Sequence, residues 1–361
     1  MEDKTFQPGI VLDEKFIKHI ESAYKFDEFV TAAAPVSWTE KERSAWRRFP
    51  IYNQDGSGSC VAQTMRKLLH ILWKQRTGEE LDFSASDIYQ RRVNKPSGGM
   101  GGDDVFRIAR EGVALNSSMP SDNMNDTQMD SVAVTQQALL ERSRYKVDAW
   151  MMLPIRDIET LASTIQQTGK GVMIWTFWNH DEWLDVPVIK RSMDLYAQST
   201  SRHSTAGVDL TLIGASNMPN NPELWGKKAI IMDESWDKVA TALDGQRLLT
   251  EDFLKVRNFY AAYPISFKLI DQQTPKPKHW FNTSRILKYR PFAPVVKGDK
   301  DIIALQDVLK YEGLFPINVN STGYFGTYTK TALAKWQAKH FLKPDGIAGI
   351  KTLTKLNQLY A

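Results

Sequence analysis

At 361 residues with 42% apolar content, the chain is too long for one ordinary compact domain and rich enough in apolar side chains to build two cores. A formal net charge of only +4, with no long Lys/Arg block, speaks against a nucleic-acid partner, while the mild basic excess suits an anionic surface such as a bacterial cell wall. The single cysteine excludes an intrachain disulfide. The start has no basic stretch followed by an apolar run, and no eighteen apolar residues occur in a row, so neither a signal peptide nor membrane insertion is expected and synthesis is assigned to the cytoplasm.

In chain order, Phe16, Ile17, Ile20, Tyr24 and Phe29 stand among charged residues, and their spacing predicts a short amphipathic helix over 10–30 in an N-terminal extension, 1–34. An extended lead-in follows, through Val36-Ser-Trp38 to Phe49-Pro-Ile-Tyr-Asn-Gln54. From Cys60, residues Val61, Met65, Leu68 and Leu72 recur with the helical period until Thr77-Gly78. The region 79–170 reads as mostly helical. Within it, Phe83-Ser-Ala-Ser86 caps one helix, Gly98-Gly-Met-Gly-Gly102 precedes another, and the polar stretch 116–132 reads as a loop.

The character changes at Gly171, where Val-Met-Ile-Trp-Thr-Phe-Trp predicts a buried strand, with further strands at 204–213 and 229–232. Helices first and strands second indicate an α+β domain of two lobes, 35–267. A Pro/Lys-rich linker, 268–297, comes next. Beyond it Gly323, Gly326, Thr329 and Leu333 recur as Gly346, Gly349, Thr352 and Leu356, each 23 residues on. Two helix-turn units and a preceding helix at Leu305 and Leu309 make 298–361 a small all-α three-helix domain.

Cys60 ends the turn Gln54-Asp-Gly-Ser-Gly-Ser-Cys60 and begins a helix, which is where a nucleophile gains from backbone N–H groups and a positive dipole end. Gln54 can donate its amide to a developing oxyanion. A thiol nucleophile also needs a base, oriented by a third group. Of the six histidines, His70 lies ten residues along the same helix, about 15 Å away, and His19, His279 and His340 lie outside the central domain. His180 sits between acids and aromatics in a surface turn. His203 opens a strand, and Asp233 or Glu234 in Ile230-Ile-Met-Asp-Glu-Ser-Trp236 can hold it.

The Gln54 to Cys60 stretch resembles the Gln-Gly-Ser-Cys-Gly-Ser-Cys motif of papain-like cysteine peptidases, with the same step from Gln to Cys. Val36-Ser-Trp38, Gly98 to Gly102, Ala109-Arg-Glu-Gly-Val113, His203-Ser-Thr-Ala and Glu234-Ser-Trp236 resemble further family segments in the same order. The resemblance implies a helical lobe and a β-barrel-like lobe with a cleft between them. By it, Cys60 is the nucleophile, His203 the base, Glu234 the orienting group, and Gln54 with the Cys60 amide the oxyanion hole. Gly101, Gly102 and Ser204 would meet substrate, and Trp236 would shield the triad. No cofactor and no metal are implied.

Three departures stand out. Glu234 occupies the position of the family's Asn, where a carboxylate raises the histidine pKa and favours a thiolate–imidazolium pair. Ser57 and Gly99 stand where the family has a cleft disulfide. Only some thirty residues precede Val36 where the family carries a long inhibitory pro-region, so the N-terminal helix either packs structurally or occupies the cleft.

Asp301-Ile-Ile-Ala-Leu-Gln306, Gly323-Tyr-Phe-Gly326, Ala332-Leu-Ala-Lys-Trp-Gln337 and Asp345-Gly-Ile-Ala-Gly349 resemble the peptidoglycan-binding three-helix domain of cell-wall hydrolases. Tyr324, Phe325, Tyr328 and Thr329, near the repeat turn, are its candidate ligand contacts. The expected protein is thus a thiol endopeptidase brought to peptidoglycan, acting on wall peptide or on protein at the wall. A wall-binding module without an export signal fits a phage lysin or a virion or tail component with assembly partners, and equally leaderless secretion. The alternative expectation is a non-catalytic wall-binding or virion structural protein that retains the fold.

Overall fold

The computed structural model describes residues 10–11, 24–25, 35–54, 56–191, 201–236, 241–268, 276–289, 298–312, 314–315 and 321–361. They form two compact units, one built on 33–267 together with Ile10–Val11, the other on 268–361 together with Tyr24–Lys25. The helix expected over 10–30 lies mostly outside the described residues. Its two described pieces are extended rather than helical: β1 (Ile10–Val11) and a second two-residue strand, Tyr24–Lys25.

In the larger unit α1 (Cys60–Thr77) is central, and everything from Cys60 to Leu72 is buried. The apolar stripe alone does not account for this, because Arg66 and Lys67 are buried too. Each is matched by an acid, as burial of a charge requires: Arg66 reaches Asp82 and Asp122, both at 2.7 Å, and Lys67 reaches Asp233 at 2.8 Å. Gly78, in the left-handed region, ends the helix by giving its N–H to the Lys74 carbonyl.

Around α1 lie α2 (Ala85–Tyr89), capped by Ser84 as expected, β2 (Met100–Gly101), α3 (Gly102–Glu111), α4 (Asp126–Asp130) and α5 (Gln136–Arg144). The stretch expected as a loop therefore contains a short helix. Asn125 and Gln128 close a capping box around its first turn, which offsets the low helix propensity of Asp and Thr.

The other half is an antiparallel sheet of β3 (Val147–Met152), β4 (Val172–Trp178), β5 (Ser201–Leu212), β6 (Lys228–Asp233), β7 (Gln246–Thr250) and β8 (Asn258–Phe267), in the order β3-β8-β4-β5-β6-β7. β3 falls in the region read as helical. It is buried on both faces, so it lacks the alternation that marks a half-exposed strand. Two further helices, α6 (Ile158–Thr168) and α7 (Glu251–Arg257), complete the unit, and α1 and α6 both lie against β5. Register sets the site: Thr176 on β4 faces His203, Ala206 on β5 faces Asp233, and Met232 on β6 faces Arg247.

The smaller unit holds α8 (Lys300–Tyr311), α9 (Thr327–Lys339) and α10 (Ile350–Tyr360) around Leu305, Leu309, Leu333, Trp336, Leu353 and Leu356. The 23-residue repeat has a physical origin in two buried glutamines. Gln306 donates to the Tyr324 carbonyl and Thr329 Oγ1 and accepts from the Gly323 N–H; Gln337 does the same with Ile347, Thr352 and Gly346. Gly323 is obligatory, since its φ is +73° and a Cβ there would come within 2.4 Å of the Gly298 Cα.

Candidate active site

The nucleophile candidate is placed by a turn and a helix start. Ser57 gives its N–H and its hydroxyl to the Gln54 carbonyl, at 3.0 and 2.6 Å, and meets the Ser59 hydroxyl at 2.7 Å. Cys60 follows as the first residue of α1, where N–H groups have no intrahelical acceptor. Gly58 is required here: a Cβ would lie 2.6 Å from the Gly99 amide nitrogen. Two walls of the site thus touch through bare backbone.

Hydrogen bonds join those walls at Gly99 and at Gly58, next to Ser57, the region where the resembled family has a disulfide. Asp126 Oδ1 accepts from the Gly58 N–H at 2.8 Å and from the Tyr89 hydroxyl at 2.7 Å, and the Tyr89 oxygen accepts from the Gly99 N–H at 3.0 Å. Cys60 remains a free thiol.

The Cys60 thiol is close enough to act electrostatically on the His203 ring, whose Nε2 lies 2.6 Å from Glu234 Oε1. With Nε2 engaged, Nδ1 is the nitrogen left for sulfur. Glu234 is buried, yet both its oxygens are satisfied. Oε1 also accepts from the Ser235 N–H at 2.9 Å, while Oε2 accepts from Trp183 Nε1 at 2.8 Å and Arg247 Nε at 3.0 Å.

Burial works against a charged imidazole, but the Glu234 carboxylate and Cys60 outweigh it and hold the ring above the ordinary histidine range. Burial alone would raise Glu234; His203, Arg247 and the Ser235 N–H reverse that and hold it well below the usual carboxylate range. Of the two acids left open by the sequence, Glu234 meets the imidazole. Asp233 turns instead to Lys67 and Gln246.

Gln54 is anchored on the same side. Its Oε1 accepts from the Ser235 hydroxyl at 2.5 Å and its Nε2 donates to the Ser57 carbonyl at 3.0 Å. An amide nitrogen carries two hydrogens, so one remains to donate. Trp236 stacks on His203, with Trp183 edge-on to the same ring. His180 is exposed in a short turn, and His70 is tied to the Leu81 carbonyl and Glu80.

Several expected contacts are placed otherwise. Ser204 is buried with its hydroxyl 2.9 Å from Thr64, so it ties β5 to α1. Gly101, in β2, pairs in parallel with Val11, and Gly102 is the first residue of α3. Phe325 and Tyr328 are core residues of the smaller unit and Thr329 is buried against Gln306; all three hold that module together and are shut away from a ligand. Tyr324 is half-buried.

Nothing local in the sequence marks Arg247 or Trp183, which reach Glu234 only through strand register and a chain crossing. A cavity of about 850 Å³ elsewhere in this unit is walled by Lys41, Arg47, Phe49, Lys74 and Asp209, and contains none of the candidate residues. Among the described residues no His, Cys, Asp and Glu side chains group to hold a metal ion, and no helix is long and apolar enough to cross a membrane.

Comparisons with known proteins bear on both units. Residues 298–356 match the family profile of the putative peptidoglycan binding domain. Among solved structures, xylellain, a cysteine protease from Xylella fastidiosa, superposes with a TM-score of 0.53 at 15% identity, over 73% of this chain and 96% of that one. A structure from work on the mite allergens Blo t 1 and Der p 1 gives 0.51 at 18% identity, over 70% and 78%. The larger unit has the papain-like cysteine-protease fold, α+β as expected. No curated protein sequence matches the chain.

Proposed function

We propose that the chain is a thiol peptidase carried to the bacterial cell wall by its C-terminal module. The observation that carries this is the hydrogen bond between His203 and Glu234, with the Cys60 thiol beside the same ring at the start of a buried helix. His203 takes the thiol proton, and the thiolate attacks a peptide carbonyl. The remaining Gln54 N–H and the Cys60 N–H receive the oxyanion. His203 then passes its proton to the leaving amine, the C–N bond breaks, and a thioester stays on Cys60. Water, deprotonated by His203, hydrolyses it and restores the thiol. Wall binding raises the local concentration of substrate, which is wall cross-link peptide or protein held at the wall.

Cys60 and His203 are each about 1% exposed, so a substrate cannot reach them without movement. Ile10–Val11 lies along Met100–Gly101 and also against β5, the strand that bears His203. This favours the inhibitor reading of the N-terminal extension over plain packing.

The test is covalent labelling. An epoxide inhibitor of papain-type enzymes, applied to the chain and to Cys60→Ala, is expected to leave one adduct at Cys60 and none on the variant. Incubation with purified sacculi and with unfolded casein, read by mass spectrometry, identifies the scissile bond. No adduct on chain lacking residues 1–33 would leave a non-catalytic wall-binding protein as the better reading.

A further inference from the structure

A buried carboxylate 2.6 Å from the imidazole creates a conflict within the mechanism proposed above. The ring must hold a proton beside the thiolate, then release it to the leaving amine. A bare carboxylate in so buried a site favours the first step and opposes the second, because its charge is weakly screened there. The fold supplies a counterweight.

Arg247 stands on β7 opposite Met232, while Glu234 follows the end of β6 and gives its N–H to the Gly245 carbonyl. That hairpin brings Arg247 Nε to 3.0 Å from Glu234 Oε2, on the side of the carboxylate away from His203. Arg247 Nη1 donates to the Trp183 carbonyl at 3.2 Å, and the Trp183 indole donates to the same Oε2. Arg247 is itself buried, at 4% exposure, with its charge matched by Glu234.

Among the described residues, the charged or titratable groups around this assembly are the Cys60 thiol and the Lys67–Asp233 pair on the α1 side, Glu234 and Arg247 from the β6–β7 hairpin, and Glu182, next to Trp183 and paired to Arg257. Among the described residues Arg247 is the cation that meets Glu234 besides His203 itself.

We infer that Arg247 is a positioning residue of the thiol-peptidase site: it keeps Glu234 ionised and aimed at Nε2, and by sharing the carboxylate's charge it lets His203 surrender its proton to the leaving group. Glu234 and Arg247 therefore act as one unit, a carboxylate whose charge is partly cancelled. The inference rests on the peptidase reading.

The test uses Arg247→Met, Arg247→Lys and the double variant Glu234→Gln/Arg247→Met in the full chain. The His203 ring is followed by NMR titration, and peptide turnover is measured across pH. Arg247→Met is expected to move the imidazole titration upward by about one pH unit and to lower kcat about tenfold with KM within twofold. Arg247→Lys should keep most of the activity. The double variant should bring the titration back down and exceed Arg247→Met in kcat, because no unbalanced carboxylate remains.

An unmoved or downward titration in Arg247→Met overturns the inference, as does a double variant no better than the single. If Arg247→Met fails to fold, the double variant must fold; its failure also overturns the inference. The titration is read whether or not the protein turns over a peptide, so a shift without activity would count against the peptidase reading and leave the coupling standing.

Discussion

The indole of Trp236 lies flat against the imidazole of His203, with ring centroids 4.0 Å apart and planes within 7° of parallel. A face-on indole stabilises a cationic ring by about 0.5–2 kcal/mol. Trp183, edge-on at 5.7 Å, closes a second side. Trp236→Ala should reduce kcat/KM about tenfold in steady-state assays while the protein stays folded by circular dichroism. An unchanged rate would remove Trp236 from the site.

Stability should depend on pH through the same pair, and the two signs can be assigned. His203 is raised above its unfolded value, so its contribution is fully present below about pH 6.5 and is lost as pH rises through the folded value. Glu234 is depressed, so its contribution is present above about pH 4.3 and is lost as pH falls through the folded value. The pair supports the fold most between those limits. Urea midpoints measured from pH 3 to 10 should show this plateau, and Glu234→Gln should flatten both flanks. A wild-type profile with the same flanks as the variant would refute the assignment.

Ile10 is 2% exposed and pairs with Met100, one residue before Gly101. Removing residues 1–33 is therefore expected to raise turnover of a small peptide several-fold, and Ile10→Asp to do so more weakly, since a charge cannot stay in that apolar place unpaired. If both leave the rate where it was, the extension is only packing.

Asp126 holds the Gly58 turn to Tyr89, and through it to Gly99. Asp126→Ala leaves the Gly58 N–H and the Tyr89 hydroxyl without their acceptor, at a cost of about 1–3 kcal/mol. Because Gly58 lies two residues before Cys60, kcat should fall in the same variant. A lower midpoint for thermal unfolding with kcat intact would mean that the strap supports the fold without positioning the thiol.

What could be read along the chain was what repeats locally. The stripe Val61, Met65, Leu68, Leu72 specifies which side of α1 is apolar; the run from Val172 to Trp178 is extended; the Gly–Thr repeat of the smaller unit reflects one turn built twice around a buried glutamine. The turn from Gln54 to Cys60 was legible from its glycines and serines, and the strand that bears His203 from its extended, apolar run. The strand Val147–Met152 and the helix Asp126–Asp130 were not, one because burial on both faces erases alternation, the other because a capping box outweighs propensity.

By itself, then, the sequence determined the locally periodic elements and the position of a thiol at a helix start. Only the tertiary structure decided which of Asp233 and Glu234 meets His203, that Arg247 and Trp183 share the second carboxylate oxygen, that Ser204, Phe325, Tyr328 and Thr329 are structural, and that Ile10–Val11 lies along Met100–Gly101. The physical reason is that periodicity records which face of a segment is buried and says nothing of what it is buried against. Strand register and chain crossings choose the partner, and a one-residue slip in β6 would exchange Asp233 and Glu234 between the two sides of the sheet.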